Sequence, residues 1–183
     1  MRLCYRKLRE ADSQMDFKDI VHKGFDQFLE ELKKSLETLT PEERRFQPSP
    51  DSHHIDFVVW HMARVEDDWV QRFAQQNPTV WQRDDWHTRF GMPERESGFG
   101  YSSEQVRDLP TFDMDQMLEY FDAVRVDTNA FLDAMSESDL STEPHPRRPG
   151  VTLMDMWGHV MIEEAEHLGQ VAYIRGIQRG LDK

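Results

Sequence analysis

Four stretches of this chain repeat apolar residues at three- and four-residue intervals, and none shows the convincing two-residue alternation of a half-buried strand. Helices are therefore the regular elements this chain is expected to build. The first pattern runs from Phe17 to about Leu39 through Ile20, Val21, Phe25, Phe28, Leu29, Leu32 and Leu36, and Thr40-Pro41 stops it. A proline-containing loop, FQPSPDSHH, leads to a second helix over about Ile55 to Gln75. Its stripe is Ile55, Val58, Val59, Met62, Val65, Trp69 and Phe73, with Asp51 or Ser52 as candidate N-cap. The third spans about Asp113 to Met135 on Met114, Met117, Phe121, Val124, Thr128, Phe131 and Leu132. The fourth begins near Thr152, where TLMD reads as a capping box with Asp in place of Glu, and continues to about Arg179.

Helices with one apolar face each must bury those faces against one another, so the pattern predicts an all-α four-helix bundle. Two connections are short and one, Asn77 to Pro110, is long. This predicts a crossover between the second and third helices, which leaves those two parallel. The long segment holds three of the nine prolines, three of the nine glycines and two of the five tryptophans. A connection of this length in a compact domain is functional or disordered. Its Trp81, Trp86 and Phe90 predict an ordered, lid-like excursion with a short helix around Trp81–Arg89. The 183 residues suffice for one domain with a real core. That domain is assigned to residues 16–183, with residues 1–15 as an N-terminal extension and Met15 as a second possible start.

Charge narrows the partners. With 35 acidic against 22 basic residues the formal net charge is −13, which opposes the phosphate neutralisation that nucleic-acid binding depends on. The one compact basic element, PRRPG at Pro146–Gly150, reads as a solvated turn. No apolar run approaches a membrane span, and no charged-then-apolar leader opens the sequence. The single cysteine, Cys4, cannot close an internal disulfide. The expectation is a cytoplasmic protein with a small-molecule substrate and neither nucleic acid nor membrane as partner.

The chemistry concentrates in HVMIEEAEHLGQ, His159 to Gln170. Glu163 and His167 stand four residues apart, about 40° around a helix and about 6 Å along it, close enough to hold one ion between them. The apolar stripe of Met156, Trp157, Val160, Leu168, Val171 and Ile174 runs through His167, with Glu163 on its flank. An ionised carboxylate on that inner edge costs several kcal/mol unless it is paired or coordinates a cation. His61, on the edge of the second helix's buried face, is the best third donor. His61, Glu163 and His167 give an N, O, N set with a fourth position open, the arrangement of a catalytic zinc. A plain Glu–His ion pair accounts for the same spacing without metal.

His159 lies about 12 Å from His167 along the axis, too far to share one ion, and is placed at the site mouth or behind Glu163. His53 and His54 read as loop residues, and His22, His87 and His145 have no partner at ligand spacing. The acidic runs VEDDW and IEEAE read as solvated helix faces, with Glu66 at the surface rather than acting as a base. Arg175 could bind a carboxylate or merely complement the helix C-terminus. No Gly-rich phosphate loop, nucleophile elbow or Cys-x-x-Cys is present, and no catalytic residue is assigned.

WHMARVEDDWV, followed about a hundred residues later by LMDMWGHVMIEEAEHLGQVAYIRG, resembles the DinB-like superfamily over nearly the whole chain from Phe17. The resemblance implies a four-helix bundle with the crossover between helices two and three. It also implies a divalent metal held by one histidine of helix two and two residues four apart on helix four. Many members carry histidine at both helix-four positions. Glu163 at the first resembles the branch containing mycothiol-dependent maleylpyruvate isomerase, with His61, Glu163 and His167 as the implied ligands. The implied activity is a metal-dependent thiol S-transferase or isomerase. It would use zinc or nickel and a low-molecular-weight thiol, in a protein that forms a homodimer. A metal-dependent hydrolase and a noncatalytic bundle remain as alternatives.

Overall fold

Asp16 opens the first helix. Its carboxylate accepts the Lys18 amide while the Asp19 carboxylate accepts the Asp16 amide, so amides without a helical partner are bonded locally. A computed structural model describes residues 16–180; the N-terminal extension, with Cys4 and Met15, lies outside the described residues. Helix α1 (Phe17–Leu36) stops three residues before the predicted end. Thr38 turns left-handed at φ 64°, and Thr40 caps a separate short helix, α2 (Pro41–Arg44), with Pro41 in its first turn. Leu39 is still buried, which is why the apolar stripe outruns the helix.

Helix α3 (Ile55–Asp67) starts where expected, but its cap is His54 rather than Asp51 or Ser52. The His54 Nδ1 accepts the Phe57 amide at 3.0 Å and its Nε2 lies 2.9 Å from the Val106 carbonyl. Burial, then the charge of Arg45, pushes this imidazole down to about 4, so it caps as a neutral ring. From Asp68 to Ala74 the helix continues in π-helical register. The crossover then holds α4 (Val80–Arg83), α5 (Trp86–Phe90) and α6 (Ser103–Arg107). The single helix expected around Trp81–Arg89 is broken by Asp85, which is left-handed at φ 57°. Trp81, Trp86 and Phe90 are buried, and both tryptophans lie against Tyr120. Helix α7 (Met114–Ala134) is capped by Asp113, and α8 (Leu153–Arg179) by the anticipated Thr152–Asp155 box.

Side-chain pairs fix the directions of the long helices. Arg64 meets Tyr120, Glu66 meets Arg125 and Gln71 meets Asp127, so α3 and α7 run parallel. His61 meets His167 and Trp69 meets His159, so α3 and α8 run antiparallel. Phe25 meets Trp157 and Thr38 meets Arg179, which makes α1 and α8 parallel. The chain is thus an all-α four-helix bundle with its long crossover between the second and third long helices. No described helix is long and apolar enough to cross a membrane.

Two apolar clusters fill the bundle, one around Trp60, Trp81 and Tyr120, the other around Phe25, Leu132 and Trp157. Charges lie between them, and here the solvated reading of VEDDW and IEEAE is corrected. Glu66, Asp67 and Glu164 are buried. Arg125 donates Nε and Nη2 to Glu66 at 3.0 and 2.9 Å, Nη2 to Glu164 at 2.9 Å, and Nη1 to the Phe25 carbonyl. All four long helices therefore meet at one guanidinium. Burial and the neighbouring Glu66 charge push Glu164 well above the usual carboxylate range. Burial also acts to raise Glu66, but Arg125 and the hydrogen bond from Glu164 outweigh it and hold it low. The cluster is neutral when Glu164 carries the proton. Asp67 accepts from the Val80 and Trp81 amides, from Arg64 and from the Tyr120 hydroxyl, tying the crossover to α3.

Candidate metal centre

One turn of α8 carries Glu163 and His167 side by side, and α3 passes antiparallel in front of them. His167 Nε2 is 3.2 Å from a Glu163 oxygen. The His61 and His167 ring centroids are 5.0 Å apart and nearly perpendicular. One ligand atom from each of His61, Glu163 and His167 falls within 4.8 Å of the others. Ligands arranged tetrahedrally about 2.1 Å from a zinc ion lie about 3.4 Å apart, so small side-chain movements bring this trio to coordination distance.

Both imidazoles are oriented through their far nitrogen. His61 Nδ1 donates to the Ser97 carbonyl, which leaves Nε2 with its lone pair. Burial lowers the His61 pKa, against the opposing pull of the Ser97 carbonyl, and keeps the ring in its ligating, neutral form. His167 Nδ1 pairs with Gln170 Oε1 at 3.3 Å. Its Nε2 is buried and has no hydrogen-bond partner, because the approach to Glu163 is close but poorly directed. A buried acceptor without a donor costs about 1–3 kcal/mol. A divalent cation at this point would satisfy it, and the two-imidazole, one-carboxylate donor set suits such an ion. Glu163 keeps 26% of its side chain exposed and His159 keeps 40%, so the centre opens on that side.

Phe57 stacks on His61 at 5.5 Å, and the crossover packs against both rings at Gly98. Gly98 is essential to that packing. At φ 82°, a Cβ there would meet Trp60 at 2.8 Å, Phe57 at 2.9 Å and His61 Nδ1 at 3.2 Å. Gly98→Ala therefore pushes the loop off the histidine and withdraws the Ser97 carbonyl. Losing such an outer partner typically costs 10–100-fold in metal affinity. We expect about a tenfold or greater rise in the zinc dissociation constant by chelator competition; an unchanged constant would show that Ser97 does not orient His61.

His159 stands beside Glu163, with Nε2 3.8 Å from its carboxylate and the ring 4.6 Å from Trp69, outside the trio as the spacing requires. His53 and His54, expected as plain loop residues, both have structural work. His54 caps α3. His53 packs against Phe57 at 4.4 Å between ring centroids and lines a shallow groove of about 320 Å³ with Pro48, Asp51, Ser52, Gln170, Tyr173 and Ile174. Glu66 is neither a base at the cavity nor a surface group, but the partner of Arg125. Arg175 has no ion-pair partner among the described residues, and its Nε is buried without a hydrogen bond. His22 bonds Asn129 and Asp133, and His145 stacks on Phe73, both away from the trio.

Residues 25–171 match the profile of a family described as the DinB superfamily. In fold, the chain is similar to the crystal structure of a conserved protein from Enterococcus faecalis. The TM-score is 0.80 at 20% sequence identity, over 89% of this chain and 97% of that one. No curated protein matches the chain.

Proposed function

This chain belongs to the DinB superfamily, and we propose that it is a divalent-metal-dependent enzyme that activates a low-molecular-weight thiol for transfer to an electrophile, with His61, Glu163 and His167 as the metal ligands. The observation that carries the reading is the buried, partnerless His167 Nε2 facing Glu163 and His61 on the open side of the bundle. A bound zinc or nickel ion would supply a Lewis acid that lowers the pKa of a thiol and yields thiolate at neutral pH.

The protein's own groups do the rest. Ser97 and Gln170 fix the two rings, and Glu163 offsets part of the cation's charge. His159 is close enough to Glu163 and exposed enough to take the thiol proton and pass it to water. Phe57 and the crossover at Gly98 pack directly against His61. The substrate is a small molecule entering on the open face, and a homodimer is the assembly proposed.

The test is thiol reactivity with and without metal. Protein loaded with zinc or nickel should accelerate the reaction of glutathione or 2-mercaptoethanol with an aryl chloride below the thiol's own pKa, and a chelator should abolish the acceleration. Metal-dependent ester hydrolysis without thiol transfer would reassign the site to water activation. Bound metal with neither activity would make it structural.

A further inference from the structure

Within the π-helical segment Asp68–Ala74, Trp69 and Phe73 sit side by side, with ring centroids 4.7 Å apart. π-Helical turns occur often at functional sites. Here the two rings form a shelf that reaches the candidate centre only through His159, about two helical turns from His61 and His167. His159, the neighbour of Glu163, stands against Trp69, and His145 stacks on Phe73 at 5.6 Å. Arg148 lies over the same shelf, 4.9 Å from the Trp69 centroid and 6.0 Å from that of Phe73. The turn that carries it is held by the Arg148 amide on the His145 carbonyl and the Gly150 amide on Glu143.

Arg148, like Arg89 over Trp86 and like Arg175, holds no carboxylate; what sets it apart is its place on a shelf that reaches Glu163 through His159. Arg44, Arg64, Arg72, Arg83, Arg125 and Arg179 each hold a carboxylate. Arg148 is exposed in a chain of net charge −13 and has no carboxylate within ion-pair distance among the described residues. A guanidinium lying on an aromatic face keeps its N–H edge free for two-point recognition of a carboxylate. We propose that Arg148, seated on the Trp69–Phe73 shelf, is the carboxylate-binding subsite of the centre, so the preferred ligand carries an acid group several bonds from its reacting atom. The inference rests on the thiol-transfer reading. The acid belongs either to the thiol or to the electrophile.

Calorimetric titration with 6-mercaptohexanoate and 6-mercaptohexanol, on zinc-loaded and metal-free protein, tests the first source. The acid should bind about fivefold tighter than the alcohol, within the range of a partly shielded charge-assisted pair. Arg148→Gln should erase that preference and leave the alcohol unchanged. For the second source, 2-mercaptoethanol is reacted with 4-chloro-3,5-dinitrobenzoate or its methyl ester. Thiolate displaces chloride, releasing a proton and a chloride ion. An Arg148→Gln loss in kcat/KM confined to the acid places the carboxylate on the electrophile. No Arg148-dependent acid preference in either arm overturns the inference. Failure of the thiol-transfer reading looks different: neither thiol binds the zinc-loaded protein better than the metal-free one. The acid preference on metal-free protein then still judges Arg148.

Discussion

His167→Ala is expected to lower divalent-metal affinity by more than about a hundredfold, since it removes a ligand rather than an outer partner, whose loss alone costs about 10–100-fold. The fold should survive. Alanine favours helix more than histidine does, and the substitution removes a buried nitrogen that has no hydrogen bond in the metal-free protein. Metal-free wild type and variant should therefore melt within a few degrees of one another. Adding zinc separates them. An ion at about 100 times its dissociation constant stabilises the folded state by about 2.7 kcal/mol. For a domain of this size that raises Tm by roughly 5–10 °C. The wild type should show this rise and the variant should not. His61→Ala should behave alike with respect to metal, and Glu163→Gln should show how much of the affinity comes from charge. An equal zinc-dependent rise in wild type and both histidine variants would remove these residues from the ligand set.

Arg125→Met should be the most damaging single change to stability. Methionine has a similar reach and fills much of the same space, so packing is largely kept while the charge is lost. Glu66 and Glu164 are then buried without a cation, and the Phe25 carbonyl loses its donor. Breaking a buried pair in this way typically costs about 3–5 kcal/mol. At about 2–4 °C per kcal/mol, Tm should fall by roughly 6–20 °C. The cause is separable from packing by Glu66→Leu/Arg125→Met/Glu164→Leu, which removes the Arg125–Glu66 charge pair together with the Glu164 carboxyl group. If uncompensated charge is the cause, this triple variant recovers at least half of the loss. A triple variant less stable than Arg125→Met would show that shape, not charge, dominates at this junction.

The bundle was legible because its four long helices each present a largely apolar stripe, and because the 77–110 gap is too long for a hairpin between neighbours. Where the stripe and the helix part company, the sequence misleads. Leu39 continues the α1 pattern from a turn that Thr38 has already broken. The boxes Thr79–Gln82 and Ser102–Gln105 mark α4 and α6, and were readable as helix starts. The trio's place was legible from four-residue spacing on one helix and a lone inner-edge histidine on another. The buried carboxylates were missed because an acidic run reads as solvated. Yet Val160, Glu164, His167 and Val171 share one helical stripe, as do Val59, Met62 and Glu66, and that register could have placed both glutamates inside. The Ser97 carbonyl was beyond reach. It comes from a loop far along the chain, and only the left-handed Gly98 beside it hints at close backbone approach.

X-ray absorption at the zinc edge, on protein reconstituted with one equivalent and desalted, tests the centre most directly. The account predicts retained zinc with two imidazoles and light-atom ligands at about 2.0–2.1 Å, and a new sulfur shell at about 2.3 Å when a thiol is added. Zinc lost on desalting, or retained without imidazole scattering, would contradict it and leave Glu163 and His167 as an ion pair.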